Sequence, residues 1–160
     1  IYFGQSAETS DFIVDCLSAW WQEHRLQYSQ LTELVIDLDG GSATRSNRTQ
    51  FIKRMVEFSQ ANNLQIRLIY YPPYHSKYNP IERCWAVLEH YWNGTVLDSV
   101  STALKWAANM TWKGIAPIVH LVTTTYPKGI KVLPLELEQY LDFWHRSETL
   151  PQWDITITSC

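Results

Sequence analysis

Two carboxylates stand where acidic residues do chemistry in open α/β proteins. Asp39 closes the run Leu34-Val35-Ile36-Asp37-Leu38-Asp39, and Glu82 stands in Asn79-Pro80-Ile81-Glu82, shortly after the run Ile66-Arg67-Leu68-Ile69-Tyr70-Tyr71. Open α/β sheets place their reactive groups at the carboxyl ends of strands, and adjacent parallel strands would bring these two ends together. Paired carboxylates offer hard oxygen ligands to divalent cations. Two Mg²⁺ ions held in that way can activate a nucleophile and stabilise the leaving oxygen at a phosphodiester. The chemistry indicated is phosphoryl transfer.

Each acid also has a purely local explanation. Asn79 with Glu82 three residues later reads as a capping box with Pro80 at the first helical position. Asp39 ahead of Gly40-Gly41 reads as a turn residue that hydrogen-bonds the backbone in front of it.

The elements that must hold these acids follow from the apolar pattern. Tyr2 to Gly4 is a short strand, and Ser10 is the expected cap of a helix with apolar residues Phe12, Ile13, Cys16, Leu17, Trp20 and Trp21, ending near Arg25. The Asp39 run is apolar on both faces, as in a buried central strand, and Gly40-Gly41 terminates it. Asn47 with Gln50 is expected to cap the next helix, which buries Phe51, Ile52, Met55 and Phe58 and stops at Asn62-Asn63. A second buried strand ends at Pro72-Pro73. A helix from Asn79-Pro80 carries the stripe Ile81, Cys84, Trp85, Leu88 and Trp92, and another from about Asp98 buries Val100, Leu104 and Ala107. Residues 115–132 hold an extended segment. Pro134 opens a last helix through Leu137, Tyr140, Leu141 and Trp144, and residues 150–160 are left open between strand and disorder. Strands alternating with helices make an α/β protein.

Composition sets the frame. At 160 residues, 46% hydrophobic and 18% charged, the chain suits one globular domain, and no run approaches a membrane span. The eight Trp and nine Tyr are expected mostly in the core. Three widely spaced cysteines, Cys16, Cys84 and Cys160, and the lack of an export signal favour a reducing, cytoplasmic setting over the three glycosylation sequons at Asn47, Asn93 and Asn109. The chain opens on an apolar, strand-like Ile1-Tyr2-Phe3 without Met, as a fragment of something longer would. Charge is segregated: residues 40–132 hold eleven Lys and Arg against four acids, while both ends are acidic. That middle, with Arg45, Arg48 and Arg83 among its cations, is a candidate face for a polyanion or an ordinary solvated surface.

Taken together, Leu38-Asp39-Gly40-Gly41, Arg48-Thr49-Gln50-Phe51 and the block from Tyr70 through His75, Lys77, Tyr78 and Glu82 to Trp85 resemble bacterial insertion-sequence transposases of the DDE superfamily. Similarity continues through Trp92-Asn93-Gly94, Met110 to Gly114 and Val122 to Tyr126. The resemblance implies an RNase H-like catalytic core, a mixed sheet flanked by helices, over residues 1–132, with 133–160 a C-terminal helix and tail packed on the same domain. It implies three acids holding two Mg²⁺ (or Mn²⁺) ions for cutting and joining DNA at transposon ends and target. Asp39 matches the second acid and Glu82 the third. His75, Lys77 and Tyr78 match residues lying beside DNA, and Arg45, Arg48 and Arg83 join them as expected DNA contacts. The expected partners are DNA and further copies of the chain, with no membrane, in a nucleoid-associated cytoplasmic setting.

The departures are specific. Tyr2-Phe3 resembles the third strand of the RNase H-like sheet, so the first two strands and the first acid have no counterpart. Asp11 and Asp15, the early acids, fall on a helix. The usual Asn after the second acid is Gly40. The metal site is therefore expected to be incomplete and the chain alone inactive. One alternative is a non-catalytic transposase remnant that binds DNA or self-assembles. Another, from the likeness of Leu34 to Gly40 to haloacid dehalogenase-like phosphatases with Asp37 as nucleophile and Asp39 as acid and base, lacks the downstream acidic pair that chemistry needs.

Overall fold

The computed structural model describes residues 1–72 and 79–160. These form two compact units, one of residues 1–6 with 79–125 and one of residues 7–72 with 126–160. Among the described residues no helix is long and apolar enough to cross a membrane.

The larger unit is built on a four-stranded mixed sheet. Its strands are β2 (Glu33–Leu38), β3 (Gln65–Tyr70), β5 (Trp144–Arg146) and β6 (Asp154–Ile157), in the order β2-β3-β6-β5. β2 and β3 run parallel, with Leu34 opposite Ile66 and Leu38 opposite Tyr70, whereas β6 runs antiparallel to both β3 and β5. The apolar run ending at Asp39 was expected to be a buried central strand. Instead β2 is an edge strand with Val35 53% exposed, because among the described residues nothing pairs with its outer side. The inner positions go to β3 and to β6. Ile66, Leu68, Ile155 and Ile157 are all fully buried, the two-residue alternation of strands with one face on a core. The segment left open between strand and disorder is thus a central strand.

Helices α1 (Ser10–His24) and α2 (Thr49–Asn62) complete this core, with Val14, Trp21, Phe51, Ile52, Met55, Val56 and Phe58 buried. Both expected caps differ. Thr9, extended at φ −125°, caps α1 by accepting from the Phe12 amide at 3.2 Å, and Ser10 instead donates to the Ala43 carbonyl at 2.7 Å. Arg48 occupies the cap position of α2 without a side-chain bond, since Gln50 donates to Asp11 at 2.8 Å rather than closing a box with Asn47. Asn63 stops α2 in the left-handed conformation at φ 47°, in line with the Asn-Asn signal. α5 (Pro134–Leu141) starts at Pro134 as expected, but Trp144 belongs to β5 because the helix has already ended.

In the smaller unit β1 (Tyr2–Gly4) pairs in parallel with β4 (His120–Val122), and α3 (Pro80–Trp92) and α4 (Val100–Asn109) pack around Cys84, Leu88, Ala107 and Met110. The apolar stripes of these helices are only partly covered. Trp85, Ile81 and Val100 stay exposed, which corrects the expectation that they are buried. Among the tryptophans, Trp21 and Trp144 are buried while Trp85 and Trp106 are exposed.

Candidate active site

Asp39 follows directly on the last residue of β2. Gly40 sits at φ 73°, a conformation that side-chain-bearing residues other than Asn and Asp seldom adopt, and turns the chain over the Tyr70 ring. The Gly41 amide then donates to Asp39 Oδ1 at 2.9 Å. This is the turn role read from the sequence. It does not use up the carboxylate: Asp39 is exposed, and among the described residues Oδ2 enters no hydrogen bond or ion pair. A Cβ at Gly41 would lie 3.3 Å from Asp39 Oδ1, so this glycine leaves room for the acid.

The floor beneath the turn is polar and satisfied. Tyr70, at the end of β3, is buried and donates from its hydroxyl to the Thr44 carbonyl at 2.6 Å. Burial holds its pKa far above the usual phenol range, so it stays a neutral donor. The Tyr71 amide donates to the Leu38 carbonyl at 2.8 Å and carries the β2–β3 pairing to its end. Desolvation and then the Asp37 carboxylate raise the Tyr71 hydroxyl, so Asp37 is engaged beside a phenol.

Glu82 stands in the first turn of α3. Asn79 caps that helix by accepting from the Ile81 amide at 3.3 Å, with Pro80 at the first helical position. The reciprocal arm of a capping box is not made, and among the described residues the half-buried Glu82 carboxylate has no hydrogen bond or ion pair. Asp39 belongs to the larger unit and Glu82 to the smaller. Each offers hard oxygen donors not committed elsewhere, a donor set that fits Mg²⁺ or Mn²⁺. Among the described residues no group of three His, Cys, Asp or Glu side chains is gathered tightly enough to hold a metal ion.

The early acids have other duties. Asp15 pairs with Arg54 and accepts from the Tyr126 hydroxyl at 2.9 Å, and Asp11 accepts from Gln50 and lies 3.5 Å from Arg54. They tie α1 to α2. The Cys16 thiol beside them is pushed up to about 11, first by burial and then by Asp15, and stays protonated.

The expected DNA contacts fall in several places. His75, Lys77 and Tyr78 lie outside the described residues. Arg83 is exposed on α3. Arg48 lines a cleft of about 340 Å³ with Thr9, Ser42 and Lys128, its Nε buried without a hydrogen-bond partner. Arg45 lines another, of about 400 Å³, with Gly40, Ser46, Asn47, Tyr70, Arg146, Gln152 and Trp153. Sequence reasoning missed Arg146 and Trp153 there. One hundred residues separate Arg146 from Ser46, and only the β5–β6 hairpin brings them together, so no spacing signal pointed to them.

In comparisons with known proteins, the family model described as Rhodopirellula transposase DDE domain matches residues 1–159. No curated protein and no solved structure matches the chain.

Proposed function

The chain belongs to the Rhodopirellula transposase DDE-domain family, and we propose that it is the part of an insertion-sequence transposase catalytic core that carries the second and third metal-binding acids, Asp39 and Glu82. The observation that carries this reading is the Asp39 turn. A family member places a solvent-facing carboxylate at the carboxyl end of a strand in a parallel pair, with one oxygen fixed by Gly41 and the other uncommitted.

In this reading the core is RNase H-like, residues 1–132 supply most of it and 133–160 complete it. The placement of β6 between β3 and β5 supports grouping the last segment with the core. Divalent Mg²⁺ or Mn²⁺ would be held by Asp39 and Glu82 and would supply Lewis acidity and an activated nucleophile for DNA strand cleavage and transfer. The protein's own contribution is orientation: Gly41 fixes one oxygen of Asp39, and the Asn79 cap fixes the turn bearing Glu82. Cationic side chains hold the phosphate backbone, and the working form is a multimer acting on DNA in the cytoplasm.

Two acids do not make three. With Asp11 and Asp15 engaged by Arg54, Gln50 and Tyr126, this chain by itself is expected not to nick DNA in Mg²⁺ or Mn²⁺. Calorimetry with Mn²⁺ tests the site directly. The parent is expected to bind, and Asp39→Asn and Glu82→Gln each to lose at least about tenfold in affinity, the range seen when a carboxylate near a metal is removed. Equal binding by all three would refute the assignment. A second reading, a non-catalytic domain that binds DNA or self-assembles, draws on the same engagement of Asp11 and Asp15. It predicts no Mn²⁺ binding together with metal-independent, salt-sensitive binding of duplex DNA.

A further inference from the structure

The cleft behind the Asp39 turn has a chemical bias that its lining makes plain. Two guanidinium groups, Arg45 and Arg146, face it, and none of its lining residues is acidic. Neither arginine forms an ion pair among the described residues, although acidic side chains engage Lys53, Arg54 and Arg67 in the same unit. Two like charges gathered in one concavity without a counter-charge favour an anion.

Arg146 is also held in place. It donates to the Ser46 carbonyl at 2.6 Å, to Ser46 Oγ at 3.3 Å and to the Pro151 carbonyl at 2.9 Å. A guanidinium has five N–H donors, so these bonds fix the fork and leave donors over. A pre-set fork suits a phosphate, which it meets with two parallel bonds, and loses little freedom on binding. Gly40, the residue after Asp39, forms part of the wall. A DNA strand presents a phosphate about every 3.4 Å along the helix axis, so a strand with one phosphate at Asp39 carries others past Gly40.

We propose that Arg45 and Arg146, with Ser46 and Gly40, form a binding site for a backbone phosphate of the DNA strand that lies at Asp39. This rests on the reading of the chain as a DNA-acting transposase domain. Arg146 is in this account a DNA-binding residue contributed by the β5–β6 hairpin.

The test uses the full chain, a labelled mixed-sequence duplex, and Arg45→Gln, Arg146→Gln and the double variant, with Arg25→Gln as a control on an exposed arginine elsewhere in the same unit. Each single variant is expected to weaken binding alike on all sequences. The double variant is expected to lower the slope of log affinity against log salt by about 2, one per lost phosphate contact, and Arg25→Gln to change neither quantity. Because Arg146 also braces Ser46 and Pro151, arginine-specific modification of the parent gives a second readout that needs no mutation. Duplex should shield Arg45 and Arg146 and leave Arg25 reactive. Duplex binding with unchanged slope in the variants and no shielding overturns the site and leaves the transposase reading intact. Failure of the parent to bind duplex at any salt overturns both. Shielding by inorganic phosphate but not by duplex overturns the DNA assignment in favour of a small anion.

Discussion

Gly40 is the residue on which the geometry of the candidate site turns. At φ 73° an alanine side chain is strained even though the nearest atom, Tyr70 Cδ1, would be 3.8 Å from its Cβ. The left-handed region costs an ordinary L-residue about 1–2 kcal/mol, whereas Asn visits it more readily through local hydrogen bonding. Gly40→Ala is therefore expected to destabilise the larger unit by about 1–2 kcal/mol and Gly40→Asn by clearly less, read as urea midpoints at constant m-value. Equal losses would show that the turn relaxes on substitution. The same argument explains why Gly can stand where the resembled family has Asn: both are residues of the left-handed region. Asp39 and Glu82 were legible because their types and positions after apolar runs are local facts. Arg146 was not, since in sequence it is one cation in an acidic tail, and it reaches the Asp39 turn only through pairing across 100 residues.

Among the elements, β6 is the one whose contribution had the least local signal. Its four residues could end a chain as easily as enter a sheet, yet they lie between β3 and β5 and bury Ile155 and Ile157. A charged pair pins the register. Arg67 on β3 faces Thr156, and Asp154, two residues back on β6, takes a two-pronged contact from Arg67 at 2.9 and 2.8 Å. The hydrogen bond from Arg67 holds the Asp154 carboxyl below its usual range. A depressed carboxyl contributes stability above its unfolded pKa, about 3.9, and loses it as pH falls through the folded value. Asp154→Asn is thus expected to lower the urea midpoint slightly at pH 6, with the gap closing below about pH 4 and narrowing in high salt. A gap that persists at low pH would mean that the loss is packing rather than charge. Helix positions were legible from periodicity, as with Phe51, Ile52, Met55 and Phe58, because a one-sided stripe is written in a single element. Caps and strand order were not. Gln50 prefers Asp11 to Asn47, and β2 becomes an edge, through partners on other elements.

At the scale of the molecule, the charge segregation seen in the sequence is partly spent on folding. Within the larger unit, Lys53 reaches Glu136 at 2.6 Å, Arg54 reaches Asp11 and Asp15, and Arg67 reaches Asp154, so acids of both ends neutralise cations of the middle. The polyanion face is accordingly smaller than the sequence count implies. The apolar cores are unequal too. Fourteen buried residues form the core of the larger unit and four that of the smaller, which keeps Trp85, Ile81 and Val100 exposed. Opening free energy follows the apolar contacts that a segment must break, so the two units should differ in protection against amide exchange. Amides of α2 and β3 are expected to exchange at least about tenfold more slowly than those of α3 and α4 under native conditions, since opening α2 breaks contacts of Phe51, Met55 and Val56 and opening α3 only those of Cys84 and Leu88. Equal protection would contradict the ranking and would show that the smaller core is closed by contacts beyond its own four residues. If the ranking holds, the two proposed metal ligands sit on grounds of different rigidity. Asp39 is fixed on the well-packed sheet, and Glu82 rides on a helix that opens more easily, so ordering of α3 on metal or DNA binding would appear as slowed exchange in residues 80–92.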